Sequence, residues 1–230
     1  MSRVVAFDVG KSGCRVALFV DRRRVASAEH PSSLALADRG GAHRAIAAMT
    51  DVMGDLPGHL IRARTPVDAV GAGVAGLSQA PDALEEIADQ LADRHPGSVV
   101  ALSSDMTTSH LGALGGRPGV VVAAGTGAVS LSVSPAGESA RVDGWGYLLG
   151  DCGSGYDIAR RGLDSALRAH DGRSGSDVLR RLATERFGDL DQLPRTLQAA
   201  QNPPRLLASF AHDVLEAAKQ GDASSRSLWH

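Results

Sequence analysis

A chain of 230 residues is long enough to bury a core and to form one large domain or two small ones. Its formal net charge of -2 argues against a nucleic-acid surface, and no apolar run approaches the roughly 20 residues of a membrane span. Two cysteines, Cys14 and Cys152, are too few for a zinc site or a disulfide framework. Because the first residues lead into a strand pattern instead of a signal peptide, we expect a cytoplasmic protein.

The first thirty residues alternate between apolar runs and turns. Residues 4–7 form a continuous apolar run that predicts a buried strand, and residues 14–20 and 25–28 predict two more. The turn at residues 8–13, the first glycine turn, reads Asp-Val-Gly-Lys-Ser-Gly. A strand–turn–strand hairpin of this kind can present backbone N–H groups to an anion. It is not a Walker motif, because no helix follows the glycines.

Helices and strands alternate after the three strands. Residues 41–53 carry apolar side chains at helical spacing, residues 67–74 predict a strand, and a helix starts at Pro81. Residues 99–102 predict a further strand, with Asp105 just beyond its carboxyl end. The order is β-β-β-α-β-α-β. Ligands of such open sheets gather at the carboxyl ends of the parallel strands, where we expect Asp105.

The second half of the chain begins like the first. A strand at 120–124, a second glycine turn at residues 124–127 and a strand at 129–133 repeat the opening hairpin. This repeat predicts two related lobes that face each other across a cleft. Small and turn residues cluster at 109–118, so we assign an N-terminal lobe to residues 1–115 and a C-terminal lobe to residues 116–230.

Residues 144–155, the glycine-rich loop, hold five glycines, Trp145 and Asp151. Glycine at this density is typical of backbone that turns tightly or touches a ligand. A flat apolar tryptophan and a carboxylate that accepts hydroxyl groups favour a sugar site. The alternative is a glycine-rich surface loop with a core tryptophan.

The last eighty residues predict helices. Helical spacing is clear at 155–169, 177–187 and 205–219, and the last two are joined by a connector that holds Pro194, Pro203 and Pro204. Residues 221–230 are polar, and we expect them to be loosely held.

Three motifs occur in a known order: the first glycine turn, the second glycine turn, and Gly-Trp-Gly followed by Gly-Asp-x-Gly-Ser in the glycine-rich loop. This resembles the N-acetylglucosamine kinase branch of the BadF/BadG/BcrA/BcrD ATPase family, within the actin, sugar kinase and Hsp70 superfamily. The resemblance implies an α/β, two-lobed actin-like ATPase fold with ribonuclease H-like lobes. It implies an ATP-dependent kinase that phosphorylates the 6-hydroxyl of an amino sugar such as N-acetylglucosamine.

The same resemblance implies residue roles. Asp8 would help hold Mg²⁺ through water, and Asp105 would accept the proton of the sugar hydroxyl. The groups that would grip the ATP phosphates are Asp8, Gly10, Lys11, Ser12, Gly125, Thr126 and Gly127. Those that would line the sugar are Asp105, Thr126, Gly144, Trp145 and Asp151.

Each role has a structural alternative. Asp105 and Asp151 are also suited to cap the helices that follow them, Asp8 to bond its own turn, and Lys11 to lie in solvent. Two other functions stay open: a non-catalytic sugar-binding relative, and the dehydratase-activating branch, in which an iron–sulfur cluster joins two subunits. The cysteines lack the paired arrangement that such a cluster requires.

The chain departs from the family pattern in places. Cys152 stands where the family commonly has Glu, and residues 30–37 lack an Asn expected near the sugar, for which Ser32 or Ser33 would substitute. Ala75 and Gly76 replace a more polar sugar-facing turn. The resemblance predicts a further strand–helix portion after Lys219, so the second lobe reads as truncated. We expect an exposed sheet edge there, which a homodimer or another partner would cover.

Overall fold

A computed structural model describes residues 1–11, 13–32, 36–60 and 66–228. The chain divides into two compact units, Met1–Pro118 and Gly119–His230. The boundary predicted from the sequence, between residues 115 and 116, lies slightly earlier along the chain than this one. No helix in the described part of the chain is both long and apolar enough to cross a membrane.

The first unit follows the β-β-β-α-β-α-β order, with one more helix at its end. Its strands are Arg3–Val9 (β1), Gly13–Val20 (β2), Arg23–Pro31 (β3), Ala69–Val74 (β4) and Val99–Ser104 (β5). Its helices are Gly41–Gly54 (α1), Asp82–Arg94 (α2) and Asp105–Leu114 (α3), with a 3₁₀ turn at Leu77–Gln79. Every predicted strand and helix of this half is present, with ends that differ by a few residues.

The five strands form one sheet in the order β3-β2-β1-β4-β5. The strands β1, β2 and β3 pair antiparallel, whereas β4 lies parallel to β1 and β5 lies parallel to β4. Val9, Val74 and Ser104 are in register, so three parallel strands end along one edge. The first glycine turn and the start of α3 therefore leave the sheet at the same edge.

The sheet packs against its helices through strand residues that are buried at every second position. Val5, Phe7 and Val9 alternate along β1 and are at most 5% exposed, because successive strand residues point to opposite faces. Buried residues of α1 at helical spacing, Ile46 and Met49 among them, pack into the same cluster. Burial of a side chain of this size contributes roughly 1.5–3 kcal/mol.

The second unit combines three strands with a group of helices. The strands are Gly119–Ala124 (β6), Ala128–Val133 (β7) and Ser139–Asp143 (β8), joined antiparallel in the order β6-β7-β8. The helices are Gly155–His170 (α4), Asp177–Phe187 (α5), Leu193–Ala199 (α6), Pro203–Ala208 (α7), Ala211–Lys219 (α8) and Ala223–Ser227 (α9), with a 3₁₀ turn at Leu190–Gln192.

The core of the second unit is built from helices. Leu163, Leu179, Phe210 and Val214 are at most 3% exposed and belong to one cluster. Gly162 lies against Val214, where a Cβ on the glycine would overlap the valine side chain. None of the residues of β6, β7 and β8 is buried. The strands of this unit therefore add nothing to its buried core.

Several predictions for the second unit are wrong. Residues 205–219 are not one helix: α7 ends before Ser209, whose hydroxyl donates to the Leu206 carbonyl (2.6 Å), and α8 begins at Ala211. The proline-marked connector is largely helical, because proline is tolerated in a first helical turn, where Pro194 and Pro203 lie. The strand β8 was not predicted.

The end of the described chain is not loosely held. Asp222 caps α9, accepting hydrogen bonds from the Ser225 N–H (2.8 Å) and from the Ser176 hydroxyl (2.8 Å). Ser225 is buried, and Leu228 packs against the helical core. The prediction of a loosely held end rested on polar composition. It is wrong because the serine and aspartate residues here serve as helix caps.

Candidate active site

The first glycine turn joins β1 to β2 in the first unit. The Gly10 N–H donates to the Gly13 carbonyl (2.9 Å), and the Ser32 hydroxyl lies 3.5 Å from the Gly10 carbonyl oxygen. Lys11 is exposed. Ser12 and Ser33 lie outside the described residues. Closed glycine turns of this kind can present backbone N–H groups to an anion.

Asp8 contacts the adjacent strand instead of its own turn. Its Oδ2 lies 3.2 Å from Arg15 Nη1, and Arg15 Nη2 lies 3.2 Å from Glu29 Oε1. The side chain of Asp8 is 53% exposed. The carboxylate therefore has oxygen surface available to a hydrated cation, although it already pairs with a guanidinium.

Asp105 lies at the edge of the sheet where the three parallel strands end, and it is half-buried. It is not the N-cap of α3. Ser104 caps the helix by accepting from the Thr107 N–H (3.2 Å), and Asp105 Oδ1 accepts from the Met106 N–H (2.9 Å). The capping role goes to the neighbouring serine, which leaves Asp105 for another role.

The environment of Asp105 raises the pKa of its carboxyl above the ordinary value. Burial raises the pKa of its carboxyl, and the negative charge of Asp8 raises it further. The Met106 amide and the positive charge of Lys11 act in the opposite direction. Asp8, Lys11 and Asp105 therefore act on one another electrostatically at this edge. A carboxylate with a raised pKa is a better proton acceptor than an ordinary surface aspartate.

The second glycine turn joins β6 to β7 in the second unit. The Gly125 N–H donates to the Gly127 carbonyl (2.8 Å). The carbonyls of Gly125 and Thr126 accept from the N–H groups of Gly155 (2.8 Å) and Tyr156 (3.1 Å), the first residues of α4. The turn is thus fixed to the start of a helix.

Asp151 brings the glycine-rich loop to this turn. It is 4% exposed, and its Oδ1 accepts from the Gly146 N–H (3.3 Å). A Cβ on Gly127 would lie 2.5 Å from Asp151 Oδ2. Asp151 does not cap α4, because Ser154 does so by accepting from the Asp157 N–H (3.2 Å).

Trp145 is not a core residue, so that alternative for the glycine-rich loop is wrong. Its side chain is 63% exposed, and the guanidinium of Arg141 lies 5.2 Å from its ring centroid. Gly144 before it has a φ of 75°, and a Cβ there would lie 2.7 Å from Val129 Cγ2. The loop therefore needs glycine at 144, where it passes close to β7, and presents an open aromatic face.

Sequence reasoning missed Asp143. Its carboxylate accepts hydrogen bonds from the N–H groups of Asp151 (2.7 Å) and Cys152 (2.9 Å). These two donors hold the pKa of Asp143 below its ordinary value. The only signal in the sequence is a carboxylate directly before Gly-Trp-Gly.

The cysteines and histidines form no metal centre among the described residues, where no group of three or more His, Cys, Asp or Glu could hold a metal ion. Cys14 is buried, and burial raises the pKa of its thiol to about 12. Cys152 is exposed. A buried thiol of this kind is a poor source of the thiolate that an iron–sulfur cluster needs.

A model of the BadF/BadG/BcrA/BcrD ATPase family matches residues 8–229, a range that contains all three motifs. The chain belongs to this ATPase family. The predicted membership is confirmed, and the motifs of the two glycine turns and the glycine-rich loop lie within the matched region.

Two relatives in sequence are sugar kinases by name. The N-acetylmuramic acid/N-acetylglucosamine kinase of Clostridium acetobutylicum is 32% identical over 113 residues, which are 48% of this chain and 36% of that protein. The N-acetyl-D-glucosamine kinase of Dictyostelium discoideum is 46% identical over 77 residues, 34% of this chain and 22% of that protein. The matched part of the chain thus spans about a third or less of either relative.

Solved structures of other proteins resemble this member of the BadF/BadG/BcrA/BcrD family over almost its whole length. A protein of Chromobacterium violaceum, provisionally assigned as an N-acetylglucosamine kinase, has a TM-score of 0.82 at 27% identity and covers 99% of this chain and 78% of its own. A protein of Porphyromonas gingivalis with the same provisional assignment has a TM-score of 0.76 at 18% identity, over 98% of this chain and 76% of its own. The predicted α/β, actin-like ATPase fold is confirmed.

Proposed function

We propose that the chain is an ATP-dependent sugar kinase that transfers the γ-phosphate of ATP to the 6-hydroxyl of an amino sugar such as N-acetylglucosamine. The observation that carries this proposal is the half-buried carboxylate of Asp105 at the edge of the parallel strands, under the influence of Asp8 and Lys11. Family membership supports ATP as the donor. The names of the two sequence relatives support an N-acetylated sugar as the acceptor.

In the proposed reaction Asp105 accepts the proton of the 6-hydroxyl. The hydroxyl oxygen forms a bond to the γ-phosphorus while the bond to the β-phosphate oxygen breaks, and ADP leaves. Phosphoryl transfer needs mainly alignment and charge stabilisation. A positioned base contributes roughly 10²–10⁴-fold to such a step. The raised pKa of Asp105 supports this role, because it makes the carboxylate a stronger base than an ordinary surface aspartate.

The two glycine turns supply the phosphate contacts in this proposal. The N–H groups of Gly10 and Gly125 already donate within their turns, so these glycines shape the backbone. We assign the N–H groups of Lys11, Thr126 and Gly127 as donors to phosphate oxygens, with Ser12 beside Lys11 in the sequence. Turns of small residues let backbone N–H groups reach an anion without a side chain in the way.

Asp8 fits a magnesium ion by its chemistry. Mg²⁺ prefers oxygen ligands and is usually held through one or two carboxylates plus substrate phosphates. Asp8 offers such a carboxylate, half-exposed and close enough to influence Asp105. When bound, the ion would neutralise charge on the ATP phosphates. Arg15, which pairs with Asp8, would hold this carboxylate in place.

The sugar contacts lie on the glycine-rich loop in this proposal. Asp151 would accept hydrogen bonds from sugar hydroxyls, and the exposed ring of Trp145 would pack against an apolar sugar face. Thr126 and Gly144 would complete the site. A sugar that leaves a buried polar group without a hydrogen-bond partner binds much more weakly than one that pairs with it. Asp151 would therefore be a source of selectivity.

The test is a coupled ADP-release assay with N-acetylglucosamine, N-acetylmuramic acid, N-acetylmannosamine and glucose. We expect turnover with an N-acetylated sugar, and a loss of roughly 10²–10⁴-fold in kcat for Asp105→Asn. Asp89→Asn, an exposed aspartate of α2, is the matched control. Equal rates for Asp105→Asn and the unaltered chain would remove Asp105 from the mechanism.

Calorimetry separates this proposal from a non-catalytic sugar-binding role. Each ligand is titrated alone: ATP with Mg²⁺, and N-acetylglucosamine. The kinase requires that both bind. Sugar binding without nucleotide binding would contradict the proposal.

A further inference from the structure

Asp143 closes the glycine-rich loop through two backbone hydrogen bonds. Its Oδ1 accepts from the Asp151 N–H at 2.7 Å, and its Oδ2 accepts from the Cys152 N–H at 2.9 Å. Both carboxylate oxygens are thus engaged by consecutive amides on the far side of the loop. Hydrogen bonds to an ionised acceptor are shorter and stronger than neutral ones.

The local backbone is built around this contact. Asp143 has a φ of 62°, a left-handed conformation that non-glycine residues seldom adopt. Gly150 has no side chain in the way of the carboxylate, and a Cβ there would overlap Asp143 Oδ1. The left-handed backbone of Asp143 and the absence of a side chain at Gly150 both allow this pair of hydrogen bonds.

The contact determines where the Asp151 carboxylate lies. Asp151 itself has a φ of 59°, so its backbone is held in an uncommon conformation. The Asp143 bond fixes its N–H, and the Gly146 N–H fixes its Oδ1. With both ends of the residue held, Oδ2 faces Gly127 in the second glycine turn.

We propose that Asp143 is a positioning residue for the sugar site, one that sets sugar affinity by holding the Asp151 carboxylate beside the second glycine turn. This inference rests on the proposed function. It assigns to Asp143 no contact with the sugar and no part in proton transfer. Loss of a hydrogen bond between a ligand and a charged group weakens binding by about 10- to 100-fold.

Two substitutions at Asp143 test the inference. Asp143→Gly removes both acceptor oxygens and keeps a residue that adopts left-handed backbone freely. Asp143→Asn keeps the size, one acceptor oxygen and tolerance of that backbone. Asp164→Asn is the matched control for loss of a negative charge, because Asp164 is exposed in α4 and pairs with Arg168.

The readouts are the dissociation constant for N-acetylglucosamine, the KM values for sugar and for ATP, and amide hydrogen exchange at Asp151 and Cys152. For Asp143→Gly we expect the sugar dissociation constant and the sugar KM to rise about 10- to 100-fold. The KM for ATP should stay unchanged, and exchange at both amides should accelerate. Asp143→Asn should lie between this variant and the unaltered chain, and Asp164→Asn should match the unaltered chain.

A folded Asp143→Gly protein with an unaltered sugar dissociation constant overturns the inference. If that variant does not fold, Asp143→Asn decides by the same criterion, because it keeps the size of the side chain and its tolerance of left-handed backbone. An unaltered chain that binds no amino sugar overturns the proposed function and this inference with it. In that case amide exchange still reports whether Asp143 holds the loop, so the two failures are distinguishable.

Discussion

The carboxylate of Asp151 lies directly against Gly127: a Cβ on the glycine would come within 2.5 Å of Asp151 Oδ2. The buried acid of the glycine-rich loop and the last glycine of the second glycine turn are therefore in contact within one unit. The elements to which the resemblance assigned sugar and phosphate binding meet at this point. A side chain at position 127 would therefore displace the Asp151 carboxylate.

We predict that Gly127→Ala weakens sugar binding by displacing Asp151. Gly127 is not in the left-handed region, so alanine is tolerated by the backbone and the effect comes from the contact alone. We expect the dissociation constant for N-acetylglucosamine, measured by calorimetry without nucleotide, to rise at least about 10-fold. Gly125→Ala is the control, since a Cβ at Gly125 meets nothing within 4 Å. Equal sugar affinities for the two variants would contradict the prediction.

We predict that Asp105→Asn is more stable than the unaltered chain at neutral pH. The folded-state pKa of Asp105 is raised above its ordinary value of 3.8, mainly by burial. Between those two values the folded state binds more protons than the unfolded state, so the stability falls as the pH rises through that window. At neutral pH the buried charge is a cost, which the neutral amide removes.

The measurement is the Tm of both proteins as a function of pH. The gain in Tm for Asp105→Asn should be largest near neutral pH, should shrink as the pH falls toward the ordinary pKa of 3.8, and should level off below about pH 3, where the carboxyl is protonated in both states. Asp89→Asn serves again as the control. A variant that is less stable than the unaltered chain at neutral pH would show that Asp105 is not held at a cost.

We predict that Gly73→Ala destabilises the first unit through α3. A Cβ on Gly73 in β4 would overlap the side chain of Thr108, whose hydroxyl donates to the Asp105 carbonyl (2.9 Å). Overpacking of this kind costs about 1–3 kcal/mol. Gly71→Ala in the same strand meets nothing within 4 Å and is the control.

The double variant Gly73→Ala/Thr108→Ala tests the cause of that loss. Removal of the threonine hydroxyl and methyl group should relieve the overlap, so the free energies of unfolding should not add. An interaction energy of about 0.5–3 kcal/mol in chemical denaturation is expected for residues in contact. Additive effects would show that the overlap with Thr108 is not what destabilises the variant.

We predict that the two thiols differ in reactivity. Cys152 is exposed, whereas Cys14 is buried with its pKa raised to about 12, so Cys14 carries almost no thiolate at mildly alkaline pH. A thiol-reactive chromophore should label one cysteine in the folded protein and both in denaturant. Cys152→Ser should abolish labelling of the folded protein. Fast labelling of Cys14 in that variant would indicate that the sheet of the first unit opens.

Sequence patterns predicted the elements whose signal lies within a few residues. The first unit was correct in its element order because each buried strand is a continuous apolar run that ends in a turn. The strand β8 was missed because the polar–apolar alternation of Ser139–Asp143 spans only five residues, and the strand is defined by its pairing with β7. The break between α7 and α8 was missed because helical spacing continues across Ser209 and the buried Phe210.

Part of the candidate site could also be read from the sequence. Asp105 was predicted at the end of a parallel strand, which depends only on strand order. Which of Ser104 and Asp105 caps α3 could not be predicted, because both residue types are good caps and they are adjacent. The contact of Asp143 with Asp151 and Cys152 depends on how the intervening loop folds. The spacing of residues in the sequence does not predict that loop conformation.

The carbonyls of Gly125 and Thr126 accept the first two amides of α4, so the second glycine turn and that helix behave as one mechanical piece. A tilt of α4 would be transmitted to the turn without any change in the turn's own sequence. Substitutions deep in the helical core, such as at Gly162, where α4 meets Val214, can therefore shift the second glycine turn from a distance.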